Sequence, residues 1–285
     1  MQVTPFASAF DAVRTFGYRD ILVPTDLSPV SDGAAEQAAV LARRFGGRLT
    51  LFHALEFPDH DAPHWAFGDR AAVWAEHDRR AREQLAACAS RLGVPCQTVV
   101  VHAGSAAVAL LERIAEVPPD LVVMTTHGRG GLAHLLLGSV AEQVVRKSAS
   151  PLLCVKGDLG IGRALSGCTV VAMDFSDESD AALDHAGGLA DAFGGQLVVV
   201  ATPRETREHP WQPYSLAEQR LATLAHHIPV RFLVDTAPQR AAVARVVKAE
   251  RAGLVVAARG RAGVRASGAE AAAMVRNTPC SVLVV

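Results

Sequence analysis

A pattern that opens at Asp20 opens again at Cys168, and this repetition limits the possible folds more than any other feature of the chain. The first copy runs Asp20-Ile-Leu-Val-Pro-Thr-Asp26, a short apolar stretch ending in a carboxylate, and continues into Ser28-Pro29. The second runs Cys168-Thr-Val-Val-Ala-Met-Asp174 and continues to Ser176. Residues at helical spacing follow in each. Ala34, Ala38, Leu41 and Phe45 mark one face in the first copy, and Leu183, Ala186, Leu189 and Phe193 mark it in the second. Both helical patterns stop at a glycine pair, Gly46-Gly47 and Gly194-Gly195, as helix C-termini prefer.

The alternation continues in register. In the first copy Arg48 to Ala54 reads as a strand. A long helical pattern then ends at Gly93, with Trp74, Ala81, Leu85, Cys88 and Leu92 along one side. Cys96 to His102 reads as a third strand. A helix from Ser105, apolar at Val108, Leu111 and Ile114, is stopped by Pro118-Pro119. Leu121 to Met124 and Leu152 to Val155 supply strands four and five. Their counterparts are Gln196 to Thr202, Val230 to Val234, Leu254 to Ala258 and Ser281 to Val285. Strands alternating with helices predict a parallel sheet covered on both faces. The fold class expected is α/β: two tandem doubly wound domains, each a five-stranded parallel sheet flanked by helices. Residues 1–18 read as a loosely packed leader and 19–157 as the first domain. Residues 158–166 read as a Gly-rich, exposed linker and 167–285 as the second domain. A length of 285 residues suits two domains.

Composition removes several function classes. Half the residues are hydrophobic, 20% are charged and the formal net charge is −1. No global field therefore favours nucleic acid or an acidic membrane. No apolar run approaches the ~20 residues of a membrane span. The N-terminal stretch lacks the basic and apolar regions of a signal peptide, so a cytoplasmic protein is expected. The five cysteines are scattered without a Cys-x-x-Cys pair, against both a disulfide framework and a zinc knuckle. Asp59-His60-Asp61 with His64 and His77 fits no strong metal spacing, and the chain shows no Ser-His-Asp arrangement. No metal site and no catalytic residue is assigned.

The stretch after the fourth strand carries the chemistry. Met124-Thr125-Thr126-His127-Gly128-Arg129-Gly130-Gly131 is an apolar strand end running into a glycine loop. Gly138 then precedes Ser139, where a helix opens. Ser139-x-x-Glu142 reads as a capping box, with Val140, Val144 and Val145 apolar. Unpaired amides and the positive dipole end at such a helix start favour an anion, phosphate above all. The other reading is a glycine turn before a capped helix. Asp26, Ala54 and the loop all fall at C-terminal strand ends, where doubly wound sheets bind ligands. Asp26 reads either as an acceptor for ribose hydroxyls or as a turn residue. Arg129 reads either as a phosphate partner or as an exposed loop charge.

The frame Thr125-x-x-Gly128-x9-Gly138-Ser139 resembles the nucleotide loop of the universal stress protein family, with Thr125 standing at the loop's first glycine. The resemblance covers both copies and is specific in the first. It implies an adenine-nucleotide alpha-hydrolase-like fold and a site for ATP or ADP, with any Mg²⁺ held mainly by phosphate oxygens. Its implied contacts are Pro24, Thr25, Asp26, Ala54, Met124, Gly128, Gly138, Ser139 and Val140. It further implies fifth strands that pair the domains across a pseudo-twofold, and chains that often form a homodimer.

The second copy departs from the frame. Arg259-Gly260-Arg261-Ala262-Gly263 is followed by two residues fewer before Gly268. Ala269 stands for Ser139, and Glu270 stands for Val140. A carboxylate at a helix start repels an arriving phosphate, so one nucleotide site is expected, in the first domain. Arg259, Arg261 and Arg265 leave a different anion open in the second. The function expected is nucleotide-dependent regulation through a protein partner, with at most slow ATP hydrolysis, since no general base is positioned. The alternatives are an assembly protein without nucleotide and an enzyme cleaving ATP at the α-phosphate.

Overall fold

The computed structural model describes residues 16–56, 70–126, 137–156, 160–202, 221–260 and 268–285. In the first half β1 (Asp20–Pro24), α1 (Pro29–Phe45), β2 (Arg48–Glu56), α2 (Arg70–Leu92) and β3 (Cys96–Ala103) come first. Then follow α3 (Ala106–Glu116), β4 (Leu121–Thr125), α4 (Ser139–Lys147) and β5 (Leu152–Val155). A short helix, α5 (Ile161–Leu165), leads to the second half: β6 (Cys168–Met173), α6 (Asp177–Phe193), β7 (Gln196–Ala201) and β8 (Val230–Val234). Then come α7 (Gln239–Glu250), β9 (Leu254–Ala257), α8 (Ala269–Asn277) and β10 (Ser281–Val284).

The described strands form one ten-stranded sheet in the order β3-β2-β1-β4-β5-β10-β9-β6-β7-β8. Each half is parallel within itself and doubly wound, reversing direction between β1 and β4 in the first half and between β6 and β9 in the second. The halves meet where β5 and β10 pair antiparallel, with Leu153 opposite Leu283. These strands are apolar because both faces are covered. One core, on the side of α1, α5 and α6, runs unbroken from Leu41 and Val123 to Leu183 and Leu254. The other, on the side of α3, α4, α7 and α8, runs from Leu110 and Val144 to Val243 and Val275. Side chains from both halves thus share both cores.

Local chemistry explains the boundaries. Ser28 caps α1, its side chain accepting from the Ser31 amide, with Pro29 at the first helical position. Ser176 caps α6 in the same way through the Ser179 amide. Gly46 and Gly194 end these helices in the left-handed region at φ 63° and 69°.

Three expectations are corrected. The leader is not loose at its end: Tyr18 is only 2% exposed. Its ring packs edge-on to Phe16 and Phe45 and stacks on His185 of α6. The stretch expected as an exposed linker contains α5, whose Ile161 and Leu165 are each 1% exposed. Spaced four apart, they fall on one side of a helical turn and fill the seam between α1 and α6. In α3 the buried face is Ala107, Leu110 and Ile114, while Val108 points out at 49% exposure. The alanine, small enough to let the helix approach the sheet, takes the place expected for the valine.

Candidate functional site

The β1–α1 turn is held by a dense set of short hydrogen bonds. Asp26 Oδ1 accepts from the Ser28 amide at 3.1 Å and the Ser28 hydroxyl at 2.6 Å. Thr25 Oγ1 accepts from the Leu27 amide at 3.0 Å and pairs with the Ser31 hydroxyl at 2.7 Å. Leu27 lies at φ 62°, a left-handed conformation that costs a non-glycine residue about 1 kcal/mol or more. The Thr25 amide donates to the Phe52 carbonyl at 2.9 Å, and His53 Nδ1 lies 2.8 Å from the Thr25 carbonyl. The turn is thereby fixed to the end of β2.

Across the sheet's reversal point, α4 begins beside the end of β4. Gly138 is its N-cap in extended backbone, φ −60° and ψ 152°, and donates to the Thr126 carbonyl at 2.8 Å. Ser139, Val140 and Ala141 occupy the first three helical positions, so their amides have no intrahelical acceptor. The capping-box expectation is corrected here. No side chain caps α4, and Glu142 sits one position too deep to reach back. Its carboxylate instead accepts from Arg146 at 2.8 Å and from Arg276 of α8 at 3.2 Å. The Arg146 hydrogen bond chiefly, with Arg276 adding to it, holds this carboxyl below the usual range. The Glu142 amide donates to the Gly138 carbonyl at 2.8 Å, which leaves the amides of Ser139, Val140 and Ala141 without an acceptor in the helix.

Between the turn and the helix start lies a cavity of 920 Å³. Pro24, Thr25, Asp26, Ala54, Met124, Thr125, Gly138, Ser139 and Val140 all line it. The expected residues Gly128 and Arg129, with His127 beside them, lie outside the described residues, as do Asp59, His60, Asp61 and His64. Among the described residues no cluster of three or more His, Cys, Asp or Glu could hold a metal ion. The cavity is also lined by His77 of α2, weighed above only as a metal ligand, and by residues that sequence spacing did not single out: Ser31, His53, Glu56, and Arg80 and Gln84 of α2. Glu56 accepts from the Ala106 amide at 2.7 Å, closing the start of α3. The α2 residues recur at helical spacing, a polar stripe beside the apolar one. That signal was present in the sequence but is the same one a solvated helix gives.

The second half supplies an internal comparison. Asp174 Oδ1 accepts from the Ser176 amide at 3.2 Å and hydroxyl at 2.6 Å, and Phe175 lies at φ 62°. The carboxylate turn is thus reproduced. The rest is not. By strand register Met173 stands at the place of Thr25 and Ala201 at that of His53, both fully buried and apolar. Gly268 caps α8 in the left-handed region at φ 79°, and a Cβ there would lie 2.7 Å from Arg146 Cα. The start of α8 is therefore packed against the end of α4. Arg259, at the place of Thr126, donates to the Ser150 carbonyl of the first half at 3.0 Å. Burial pushes its guanidinium down to about 10. That arginine is committed to the junction between the halves.

The family model described as "Usp: Universal stress protein family" matches residues 17–156 and again 169–285. The chain belongs to the universal stress protein family. It carries the family's domain twice in tandem. Universal stress protein MJ0531 of Methanocaldococcus jannaschii is 31% identical over 141 residues, 49% of this chain and 82% of that protein. Universal stress protein Rv2005c of Mycobacterium tuberculosis is 35% identical over 137 residues, 48% of this chain and 45% of that one. The crystal structure of a universal stress protein from Archaeoglobus fulgidus superposes with a TM-score of 0.74. It covers 94% of this chain and 98% of its own at 20% identity, a likeness of fold. Among the described residues no helix is long and apolar enough to cross a membrane.

Proposed function

We propose that the first half of this universal stress protein binds an adenine nucleotide, ATP or ADP, and that occupancy regulates its interaction with a protein partner. One observation carries the reading. The unpaired amides of Ser139, Val140 and Ala141 stand beside a 920 Å³ cavity at the sheet's reversal point. A phosphate group completes those donors and meets the positive end of the α4 dipole. The cavity volume lies in the upper part of the usual range for small-molecule sites. Pro24 to Asp26, Ala54 and Met124 line the same cavity and take the nucleoside in this reading. Gly128 and Arg129 belong to the same site in this reading, with Arg129 offsetting phosphate charge.

Asp26 commits one carboxylate oxygen to Ser28, so it supplies at most part of a metal shell. Any Mg²⁺ is held mainly by the phosphate oxygens. Turnover in this reading is slow at most: the cavity carboxylates Asp26 and Glu56 each accept from a neighbouring backbone amide. In this reading the second half holds no equivalent site, since Glu270 puts a negative charge in the first turn of α8 and Gly268 lies against the backbone of Arg146. Assembly into a homodimer belongs to the same reading. The fifth-strand edges are paired inside the chain, so a second copy would use another face.

The test is direct. The protein is purified gently, its bound small molecules are released with acid, and dissociation constants for ATP, ADP and AMP are measured by calorimetry. Co-purified nucleotide, or ADP binding in the micromolar range or tighter with one site per chain, supports the reading. No binding at millimolar ATP and ADP overturns it in favour of an assembly protein without nucleotide. Substrate-dependent release of AMP and pyrophosphate would favour the enzyme instead.

A further inference from the structure

The buried His53 sits oddly for a fold residue. It is 8% exposed, on the face of β2 that otherwise presents Leu49 and Leu51 to the core. Burying an imidazole there costs free energy unless a hydrogen bond offsets it. The offsetting bond runs 2.8 Å to the Thr25 carbonyl. A carbonyl only accepts, so Nδ1 carries the proton and donates. In the second half the Met173 carbonyl accepts instead from the Thr202 amide at 2.9 Å, so the fold does without an imidazole there. Its β6–β7 pair has the same register, the same Asp–Ser turn and the same left-handed residue, with Met173 and Ala201 where Thr25 and His53 stand. An apolar pair thus suffices for folding. The polar pair occurs in the half whose helix start lines the cavity, and is absent from the half whose helix-capping Gly268 lies against the end of α4.

We propose that His53 is a positioning residue for the nucleotide site: its Nδ1–H ties the Thr25 carbonyl to β2 and so presets the Pro24–Asp26 wall of the cavity. This rests on the reading of the site given above. A preset wall binds more tightly because the ordering is done before the ligand arrives. Without the tether only the Thr25 amide, donating to the Phe52 carbonyl, still ties the turn to β2, so part of the wall's ordering falls to the ligand.

Calorimetry with ADP on wild type, His53→Ala, His53→Phe and His53→Asn tests this, alongside melting of each nucleotide-free protein. His53→Ala copies the second half, and His53→Phe keeps the bulk of a ring without a donor. The loss of one neutral hydrogen bond corresponds to a Kd raised about five- to tenfold in both. His53→Asn places an amide N–H near the position of Nδ1 and is expected to hold Kd within about twofold of wild type. A role in stability alone would lower the melting temperature while leaving Kd unchanged. That outcome in either His53→Ala or His53→Phe overturns the proposal, as does an Asn variant as weak as Ala. If the wild type itself binds no ADP, the reading of the site has failed first, and the two failures are distinguished.

Discussion

Replacing Gly138 with aspartate separates two consequences that usually travel together. The backbone at this N-cap is extended, at φ −60° and ψ 152°, so any L-residue is accommodated. Among the described residues a Cβ would meet only the Thr126 carbonyl, at 3.4 Å, an ordinary contact. Aspartate is also among the best N-cap residues, and its carboxylate can accept from the amides of Val140 or Ala141. A carboxylate at a helix start gains a further 0.3–1 kcal/mol or so from the dipole. The nucleotide-free protein is therefore expected to become more stable, by about 0.5–1 kcal/mol, or roughly 1–3 °C in melting temperature. Phosphate binding should move the other way. The same amides are now occupied, and a unit negative charge stands about 4 Å from an incoming phosphate oxygen. At an effective dielectric constant near 20, one such pair costs about 4 kcal/mol. Salt screening reduces this, leaving about 3 kcal/mol and at least a roughly 100-fold loss of ADP affinity. Scanning calorimetry without nucleotide and titration calorimetry with ADP read the two effects separately. A variant that melts at or above the wild-type temperature yet binds ADP within threefold of wild type would refute the assignment of the phosphates to the start of α4.

Three further outcomes concern the fold that carries the site. Tyr18 Oη pairs with His185 Nδ1 at 2.7 Å, and burial pushes the phenol up so that it stays protonated. Tyr18→Phe leaves the imidazole nitrogen without its partner and should cost about 1–2 kcal/mol in urea unfolding. Burial also pushes the His185 pKa below its ordinary value. Unfolded chains then bind more protons than folded ones between the folded pKa and about 6.5, so stability falls as pH drops through that window and levels off beneath it. Urea midpoints at pH 7.5 and 5.5 should show the fall in wild type and a smaller one in His185→Leu, and equal slopes would contradict it. On α6 a Cβ at Gly188 would lie 2.2 Å from the Phe16 ring, so Gly188→Val should displace Phe16 and lower stability by about 1–3 kcal/mol, read as a drop in melting temperature.

Much of this architecture was legible because it depends on local chemistry. Asp20 to Pro24 and Cys168 to Met173 are apolar enough to be strands buried on both faces, and serine caps with glycine stops fix the helices between them. What escaped depends on contacts between distant segments. Phe16 and Tyr18 look like the end of a loose leader until α6 supplies Gly188 and His185 for them to rest on. Ile161 and Leu165 sit in a glycine-rich stretch whose composition suggests solvent, and only the seam between two cores gives them a place. Glu142 reads as a capping partner for Ser139, but the helix starts with Ser139 inside it, and Arg276 arrives from the other half to share the carboxylate.

The duplicated sequence also shows which site residues are informative. Asp26 is the residue most easily picked out as a ligand contact, yet Asp174 makes the same two bonds to its serine in the half whose Gly268 lies against the end of α4. The carboxylate turn is therefore part of how each domain begins its first helix, and its presence says little about a ligand. The discriminating positions are those at which the two halves, alike in register, differ in polarity: Thr25 against Met173, His53 against Ala201, Ser139 against Ala269. Each exchange removes a hydrogen-bonding group from the second half while its sheet and cores stay intact. Folding alone does not require those groups. Binding at the first crevice is the use for them that the open amides of α4 support.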